Sequence, residues 1–153
     1  MIDPEPPARS RAWSWVFVVV QFLCLGVFAL TGPLLSRNGP LCLMEILGVG
    51  LGVWAIATMR PGNFNIVPEV MSGGRLVVRG PYRYVRHPMY AGLLLVTLPL
   101  IVDSFTIFRL SVWILLCADL LLKLTYEEKL LASHFPDYVL YQRETKRLIP
   151  GVW

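Results

Sequence analysis

The segment at residues 80–92 is the part of this sequence best suited to binding or catalysis. It reads Gly-Pro-Tyr-Arg-Tyr-Val-Arg-His-Pro-Met-Tyr-Ala-Gly and leads into an apolar run. Pro88 fits the first turn of a helix, and a helix N-terminus favours anionic groups. Arg86 and His87 would place side-chain donors at the same point. The segment therefore predicts a site for a ligand that carries a carboxylate or a phosphate.

Aromatic side chains in the same segment add a second kind of contact. Tyr82, Tyr84 and Tyr90 could offer ring faces to a flat base or a cation. The alternative is that these residues form a basic collar with interfacial tyrosines at a membrane boundary, with no ligand bound. The residue types alone leave both interpretations open.

Three ionisable residues further along the chain share one face of a predicted helix. Asp119, Lys123 and Glu127 are spaced four residues apart, so their side chains follow one another along the helix. Asp119 and Lys123 lie inside an apolar run, where ionisable residues are costly and often functional. The alternative is an intrahelical pair that snorkels towards the cytoplasmic end. We predict substrate contacts for Asp119 and Lys123.

The C-terminal tail has a third group of candidate residues. Tyr138, Tyr141 and Arg143 lie with Lys146 and Arg147 in a short basic and aromatic stretch. One interpretation is an amphipathic surface helix on anionic lipid. The other is a lid over a pocket between the third and fourth helices, which makes Arg143 a candidate substrate contact.

The composition indicates a membrane protein. Of 153 residues, 56% are hydrophobic and 16% are charged, and the length predicts a single domain spanning residues 1–153. The net charge of +4 is not arranged as a stripe, so nucleic acid is not expected as a partner. We predict no metal site, because the three cysteines all lie in apolar runs and there are only two histidines.

Four apolar runs predict an all-α membrane helical bundle. They cover residues 13–30, 41–59, 89–102 and 105–126, and a helix needs about 20 residues to cross a bilayer. Breaks at residues 31–40 and 103–104 pair the runs into two hairpins, which gives about four transmembrane helices. We expect an amphipathic cytoplasmic helix after Pro136. The sequence does not indicate an oligomeric state.

The distribution of basic residues predicts the orientation of the bundle. Lysine and arginine cluster before the first run, between the second and third, and after the fourth. The positive-inside rule then places both termini and the loop at residues 60–87 in the cytoplasm. On this basis residues 1–11 are a polar tail, residues 60–87 a cofactor loop, and residues 127–153 a cytoplasmic tail. We expect a bacterial inner membrane.

Two of these motifs resemble a known family. The segment at residues 80–92 is similar to the cofactor motif of the integral-membrane methyltransferases, which include isoprenylcysteine carboxyl methyltransferase and the phospholipid N-methyltransferases. The tail is similar to the C-terminal block of the same enzymes. That block reads Glu127-Glu128-Lys129-Leu130, Phe135, Tyr138, Tyr141 and Arg147-Leu148-Ile149-Pro150. The resemblance covers roughly residues 60–150.

The resemblance implies S-adenosylmethionine as the cofactor. The family's binding positions correspond to Tyr82, His87, Pro88, Met89, Tyr90 and Glu127, and the stretch lining its adenosyl pocket corresponds to Gly74, Arg75, Leu76 and Val77. The family's substrate-binding arginine corresponds to Lys123, which keeps the charge but loses the bidentate fork. Arg86 and His87 suit the carboxylate of the cofactor. An amine acceptor would need a general base, for which Glu127 and Glu128 are the candidates.

The predicted function is methyl transfer to a lipid-like or small hydrophobic acceptor, with the lipid bilayer as the protein's surroundings. The acceptor would enter from the bilayer and the cofactor from the cytoplasm. One alternative is an NAD(P)H-dependent membrane reductase of the sterol reductase type, which has a similar motif at its helix start. Met89 and Leu93 favour methyl transfer over that alternative. A second alternative is a membrane scaffold or lipid-binding protein without catalysis.

Overall fold

The computed structural model describes residues 8–59 and 76–152, and these residues form helices joined by short connections. Five α-helices occur in these two ranges. They are α1 (Ala8–Thr31), α2 (Gly39–Met59), α3 (Pro88–Asp103), α4 (Ile107–His134) and α5 (Tyr138–Glu144). A short 3₁₀ helix, Gly80–Arg83, precedes α3. The predicted all-α class is confirmed. Most of the predicted polar tail and of the predicted cofactor loop lies outside the described residues.

The helix ends coincide with the breaks expected from the sequence. Pro88 occupies the first position of α3, where its missing N–H is harmless. Thr106 caps α4, and its side-chain oxygen accepts a hydrogen bond from the Arg109 amide at 3.1 Å. This bond satisfies one of the amides that every helix start leaves without a partner. Residues 104–106 therefore form a short turn that makes α3 and α4 a hairpin.

Among the residues that the structure describes, two helices meet the length and composition expected of a membrane span. These are Ala12–Thr31 within α1 and Gly39–Met59. Only 22% and 17% of their apolar windows are buried inside the protein, as expected for helices that face lipid. α3 is apolar but has only 16 residues, whereas α4 has 28 and carries buried charges. By these criteria residues 8–59 and 76–152 contain two candidate spans, whereas the sequence predicts four.

The helices pack as two pairs. α2 packs along α3 and α1 packs along α4, while α3 contacts α4. The core between α1, α3 and α4 is built from apolar side chains that are almost fully buried: Cys24, Phe28, Ile101, Leu116, Leu120 and Leu124. Because α3 and α4 meet at this core, the start of α3 lies beside the end of α4.

The C-terminal tail folds back onto the segment that precedes α3. The Arg86 amide donates to the Lys146 carbonyl at 2.7 Å, and the His87 amide donates to the Arg147 carbonyl at 3.0 Å. Val85 and Lys146 form an isolated parallel bridge. The predicted helix after Pro136 is α5, which buries Tyr138 and Tyr141. The tail therefore covers the start of α3.

Candidate functional site

His87 lies at the centre of the site, between two carboxylates from α4. It is the N-cap residue of α3 and is 6% exposed. Its Nδ1 lies 3.5 Å from Glu127 Oε2, and its Nε2 lies 3.3 Å from Glu128 Oε1. Glu127 and Glu128 are neighbours in sequence, so their side chains diverge around the helix and contact opposite edges of the imidazole. The predicted cofactor motif and the predicted acidic pair thus meet at one residue.

Glu128 is the more buried of the two carboxylates and is bonded to cations on both sides. Arg86 Nε donates to Glu128 Oε1 at 2.7 Å, and Arg147 Nη2 lies 3.1 Å from Glu128 Oε2. Arg86 Nη1 also donates to the carbonyls of Gln142 and Thr145. The Arg86 guanidinium therefore ties α4 to the tail.

The charges around His87 change how it and Glu128 titrate. Burial disfavours the charged imidazole, but hydrogen bonds and charge from Glu127 and Glu128 outweigh it and raise the pKa of His87. Burial likewise opposes ionisation of Glu128, but hydrogen bonds and charge from His87 and Arg86 lower the pKa of Glu128 to about 2. Both shifts therefore favour the charged form of the group, the imidazolium of His87 and the carboxylate of Glu128.

Glu127 faces the other side of the cluster. It accepts a hydrogen bond from the Tyr90 hydroxyl, and its side chain keeps 20% of its surface exposed, against 6% for Glu128. The rings of His87 and Tyr90 are parallel to within 2°, with centroids 5.5 Å apart. Glu127 is therefore the carboxylate that a ligand could reach, and the other two side chains fix its position.

The polar cluster continues into the bundle through Lys123. Its ammonium lies 5.3 Å from the centroid of the Tyr90 ring, which is within the range of a cation–π contact. It also donates to Gln21 Oε1 at 3.1 Å. Asp119, one turn further from Glu127, is 6% exposed. The structure confirms that Asp119, Lys123 and Glu127 follow one another along α4.

Three tyrosines pack where the C-terminal tail meets the segment before α3. Tyr141 donates from its hydroxyl to the Tyr82 carbonyl at 2.6 Å. The hydroxyls of Tyr82 and Tyr138 are buried and have no hydrogen-bond partner among the described residues. Burial is the main cause that raises the pKa of both phenols, so both keep their protons and can donate. Buried donors without a partner are uncommon, which makes these two hydroxyls candidates for ligand contact.

The helix terminus itself offers little for an anion. Pro88 has no N–H, and the amides of Tyr90 and Ala91 both donate to the His87 carbonyl at 3.1 Å. The His87 amide donates to the Arg147 carbonyl. Few backbone donors are therefore available to an anion at this helix start, and side chains make up most of the site.

The remaining predicted residues are placed as follows. Gly74 and Arg75 lie outside the described residues, and Leu76 and Val77 are half-buried just before the 3₁₀ helix. Met89 packs against the apolar core. Arg143 is exposed on α5.

One residue of the cluster, Gln21, is not among the candidate residues predicted from the sequence. Gln21 lies in the middle of α1 and contacts Lys123 of α4, 102 residues away. A single amide in an apolar span is a recognisable signal, because polar groups in a membrane are seldom left without a partner. That signal identifies the residue but does not indicate its contact with α4.

Comparison with known families agrees with this arrangement. The model of the isoprenylcysteine carboxyl methyltransferase (ICMT) family matches residues 41–133, a range that contains α3, almost all of α2 and α4, and both carboxylates of the cluster. The comparison with curated proteins returned no match. Because the matched range is more than half of the chain and carries the cluster around His87, this protein belongs to the isoprenylcysteine carboxyl methyltransferase family of membrane methyltransferases.

Proposed function

We propose that the protein transfers a methyl group from S-adenosylmethionine to a lipid-like or small hydrophobic acceptor at the boundary between membrane and cytoplasm. The observation that carries the proposal is the contact of His87 with both Glu127 and Glu128. This contact joins the motif before α3 to the carboxylates of α4, inside the range that matches the methyltransferase family.

The proposed topology has four membrane spans with both termini in the cytoplasm. α4 has 28 residues and at 1.5 Å per residue is about 42 Å long, well beyond the roughly 30 Å of hydrocarbon. Its last two turns therefore extend out of the hydrocarbon and carry Glu127 and Glu128 to the boundary. α3, with 16 residues, is about 24 Å long by the same measure, so it would span only where the bilayer thins locally.

The side chains present suit the proposed cofactor. The cofactor's ammonium fits the reachable carboxylate of Glu127, and its sulfonium fits an aromatic face such as that of Tyr90. The buried hydroxyls of Tyr82 and Tyr138 can donate to its carboxylate or its ribose. Leu76 and Val77, with Gly74 and Arg75, are proposed to line the adenosyl pocket. The sequence does not predict Tyr138 as a cofactor contact. It is proposed as one because its buried hydroxyl has no hydrogen-bond partner among the described residues.

The roles of the individual residues follow from their contacts. When bound, S-adenosylmethionine supplies an activated methyl group on a positively charged sulfur. His87 and Tyr90 hold the Glu127 carboxylate in one orientation, which favours a single bound geometry. Arg86 acts mainly by holding the tail over the site, because its guanidinium is already bonded to three oxygens. The tail would also exclude water from the reacting groups.

The need for a base depends on the acceptor. A carboxylate or thiolate acceptor attacks the methyl group without losing a proton. An amine must lose one, and Glu127 is then the better base because Glu128 is buried and bonded to Arg86 and Arg147. Lys123 and Asp119 are proposed to contact the acceptor from within the bundle, and the exposed Arg143 would contact only a part that reaches the cytoplasm.

Calorimetry of cofactor binding in detergent tests the proposal. The purified protein should bind S-adenosylhomocysteine, and Glu127→Gln should weaken that binding by at least about tenfold, since loss of a charged hydrogen bond costs about 1.5–3 kcal/mol. Glu144→Gln on α5 removes an exposed carboxylate outside the cluster and is the matched control. Binding of NADPH alone would support the reductase instead, and binding of neither compound would support a scaffold.

A further inference from the structure

A cavity of about 310 Å³ lies between the segment that precedes α3 and the tail that follows α5. It is lined by Arg86, Gln142, Thr145, Lys146, Arg147 and Val152. Three of these side chains are cationic, and none of these described lining residues is acidic. The cavity opens at the surface, where Lys146 and Val152 are exposed. It is therefore a basic cavity that a ligand can enter from outside.

Arg86 is the most buried cation of this cavity and keeps one guanidinium nitrogen available. Its side chain is 9% exposed. Its Nε donates to Glu128, and its Nη1 donates to the carbonyls of Gln142 and Thr145. Its Nη2 makes no hydrogen bond with the residues that the structure describes. Because a guanidinium nitrogen only donates, the contact that Nη2 can still make is with an acceptor.

The charges around the cavity favour a negatively charged acceptor. The Glu128 carboxylate bonds to both Arg86 and Arg147, and His87 lies against the same carboxylate. One negative charge is thus shared among several cationic groups. Lys146 adds a further positive charge at the mouth of the cavity and forms no ion pair with the described residues. A cleft lined by charges of one sign concentrates ions of the opposite sign, so the cavity should attract an anion.

The donors of the cavity suit a phosphate group. Arginine bonds to phosphate oxygens through its planar fork, and lysine binds phosphate as a point charge. A phosphate group carries several acceptor oxygens, so it can bond to Arg86 of one segment and to Lys146 of the other at the same time. In the proposed topology the tail is cytoplasmic, where anionic lipid headgroups attract basic segments and soluble phosphate compounds are also present.

We propose that this cavity binds a phosphate group, carried by an anionic lipid or by a soluble compound, through Arg86 Nη2 and the Lys146 ammonium. A phosphate bound to both residues holds the tail against the segment before α3. The site is separate from the proposed cofactor contacts, because Tyr82, Tyr90 and Glu127 are not among its described lining residues. The binding of phosphate therefore stands or falls independently of methyl transfer.

Thermal unfolding in detergent with increasing inorganic phosphate tests the proposal, with chloride used to keep the ionic strength constant. A ligand that binds the folded protein raises the unfolding midpoint. Lys146→Gln should weaken the fitted phosphate affinity at least about fivefold, because a charged donor is lost. Lys129→Gln removes the same charge from an exposed position on α4 and should keep the wild-type affinity. Phosphate also stabilises proteins by exclusion from their surface, but that contribution is the same in both variants.

Native mass spectrometry of the detergent-solubilised protein distinguishes the two sources of the phosphate. Dioleoyl phosphatidic acid and dioleoylglycerol differ by one phosphate group, so a lipid site should retain the first at least about fivefold more than the second. Lys146→Gln should remove most of that preference, and Lys129→Gln should keep it. Affinity for inorganic phosphate without a lipid preference assigns the site to soluble compounds, and the reverse result assigns it to lipid.

Two results would overturn the proposal. The first is that Lys146→Gln and Lys129→Gln give the same phosphate affinity and the same lipid preference. The second is that S-adenosylhomocysteine displaces the bound phosphate or lipid, because the cavity would then belong to the cofactor site. A protein that binds phosphate but not S-adenosylhomocysteine would contradict the proposed function alone.

Discussion

Gly48 of α2 and Gly92 of α3 bring the backbones of the two helices into contact. A Cβ at Gly48 would lie 2.8 Å from the Gly92 carbonyl oxygen, and a Cβ at Gly92 would lie 2.7 Å from the Gly48 carbonyl oxygen. Neither distance is tolerated by a real side chain, so both positions require glycine. Gly92 comes five residues after His87, the N-cap residue of α3. This contact therefore fixes the position of the His87 imidazole relative to α2.

Gly92→Ala is expected to destabilise the pair of helices. The added methyl group must push the helices apart, and overpacking of this kind costs about 1–3 kcal/mol. Gly50→Ala on α2 is the matched control, because a Cβ there meets no atom within 4 Å, and alanine favours a helix by up to about 1 kcal/mol. Thermal unfolding in detergent should show a lower midpoint for Gly92→Ala alone. Equal midpoints for the two variants would mean that the helices are not in close contact.

The pH dependence of stability should depend on His87. Its pKa is raised in the folded protein above the ordinary histidine value of 6.5, so its stabilising contribution is fully present below pH 6.5 and is lost as the pH rises through the folded pKa. Glu128 has a pKa lowered from 4.5 to about 2, so its contribution is present above pH 4.5 and is lost as the pH falls towards 2. Stability from this pair should therefore be greatest between about pH 4.5 and 6.5.

Unfolding midpoints measured at several pH values check this expectation. The wild-type midpoint should fall as the pH is raised above 6.5, and His87→Gln should flatten that fall. His134→Gln replaces an exposed histidine at the end of α4 and should keep the wild-type profile. The cluster around His87 would not be the cause if His134→Gln flattened the profile and His87→Gln did not.

Two tyrosines of α5 should separate stability from ligand binding. Tyr141→Phe removes the hydrogen bond to the Tyr82 carbonyl and leaves that buried acceptor without a partner, which costs about 1–3 kcal/mol. Tyr138→Phe removes a hydroxyl that has no partner among the described residues, so it should leave the unfolding midpoint nearly unchanged. It should instead weaken S-adenosylhomocysteine binding in calorimetry. The proposed role of the Tyr138 hydroxyl would be wrong if both variants bound the cofactor product like the wild type.

The sequence predicts the helices of this protein well and their contacts poorly. Long apolar runs separated by glycine and proline place α1 to α4 within a few residues, apart from the polar end of α4, which continues to His134. The Gly48–Gly92 contact and the reach of Gln21 to Lys123 depend on which helices pack together, and no local pattern encodes that pairing. Arg86 illustrates the same limit. An arginine at this position could bind the carboxylate of a ligand, but in the structure its guanidinium bonds to Glu128 and to two carbonyls of the tail.

Arg109→Lys should destabilise the end of the bundle opposite the site, although the charge is kept. Arg109 is 2% exposed. It donates from Nη2 to the Leu100 carbonyl at 2.9 Å and from Nη1 to Thr31 Oγ1 at 3.2 Å, and its guanidinium lies 5.4 Å from the centre of the Phe28 ring. These contacts join α1, α3 and α4, and a lysine ammonium cannot reproduce the planar fork.

The expected loss is about 1–3 kcal/mol, because the buried Leu100 carbonyl loses its well-placed donor. Arg37→Lys, at an exposed arginine between α1 and α2, should leave the unfolding midpoint within about 0.5 kcal/mol of wild type. Chemical denaturation of both variants in the same detergent measures the difference. S-adenosylhomocysteine binding by folded Arg109→Lys should stay at the wild-type level, since the guanidinium lies far along α4 from Glu127. A large loss of that binding would mean that this end of the bundle also controls the geometry around His87.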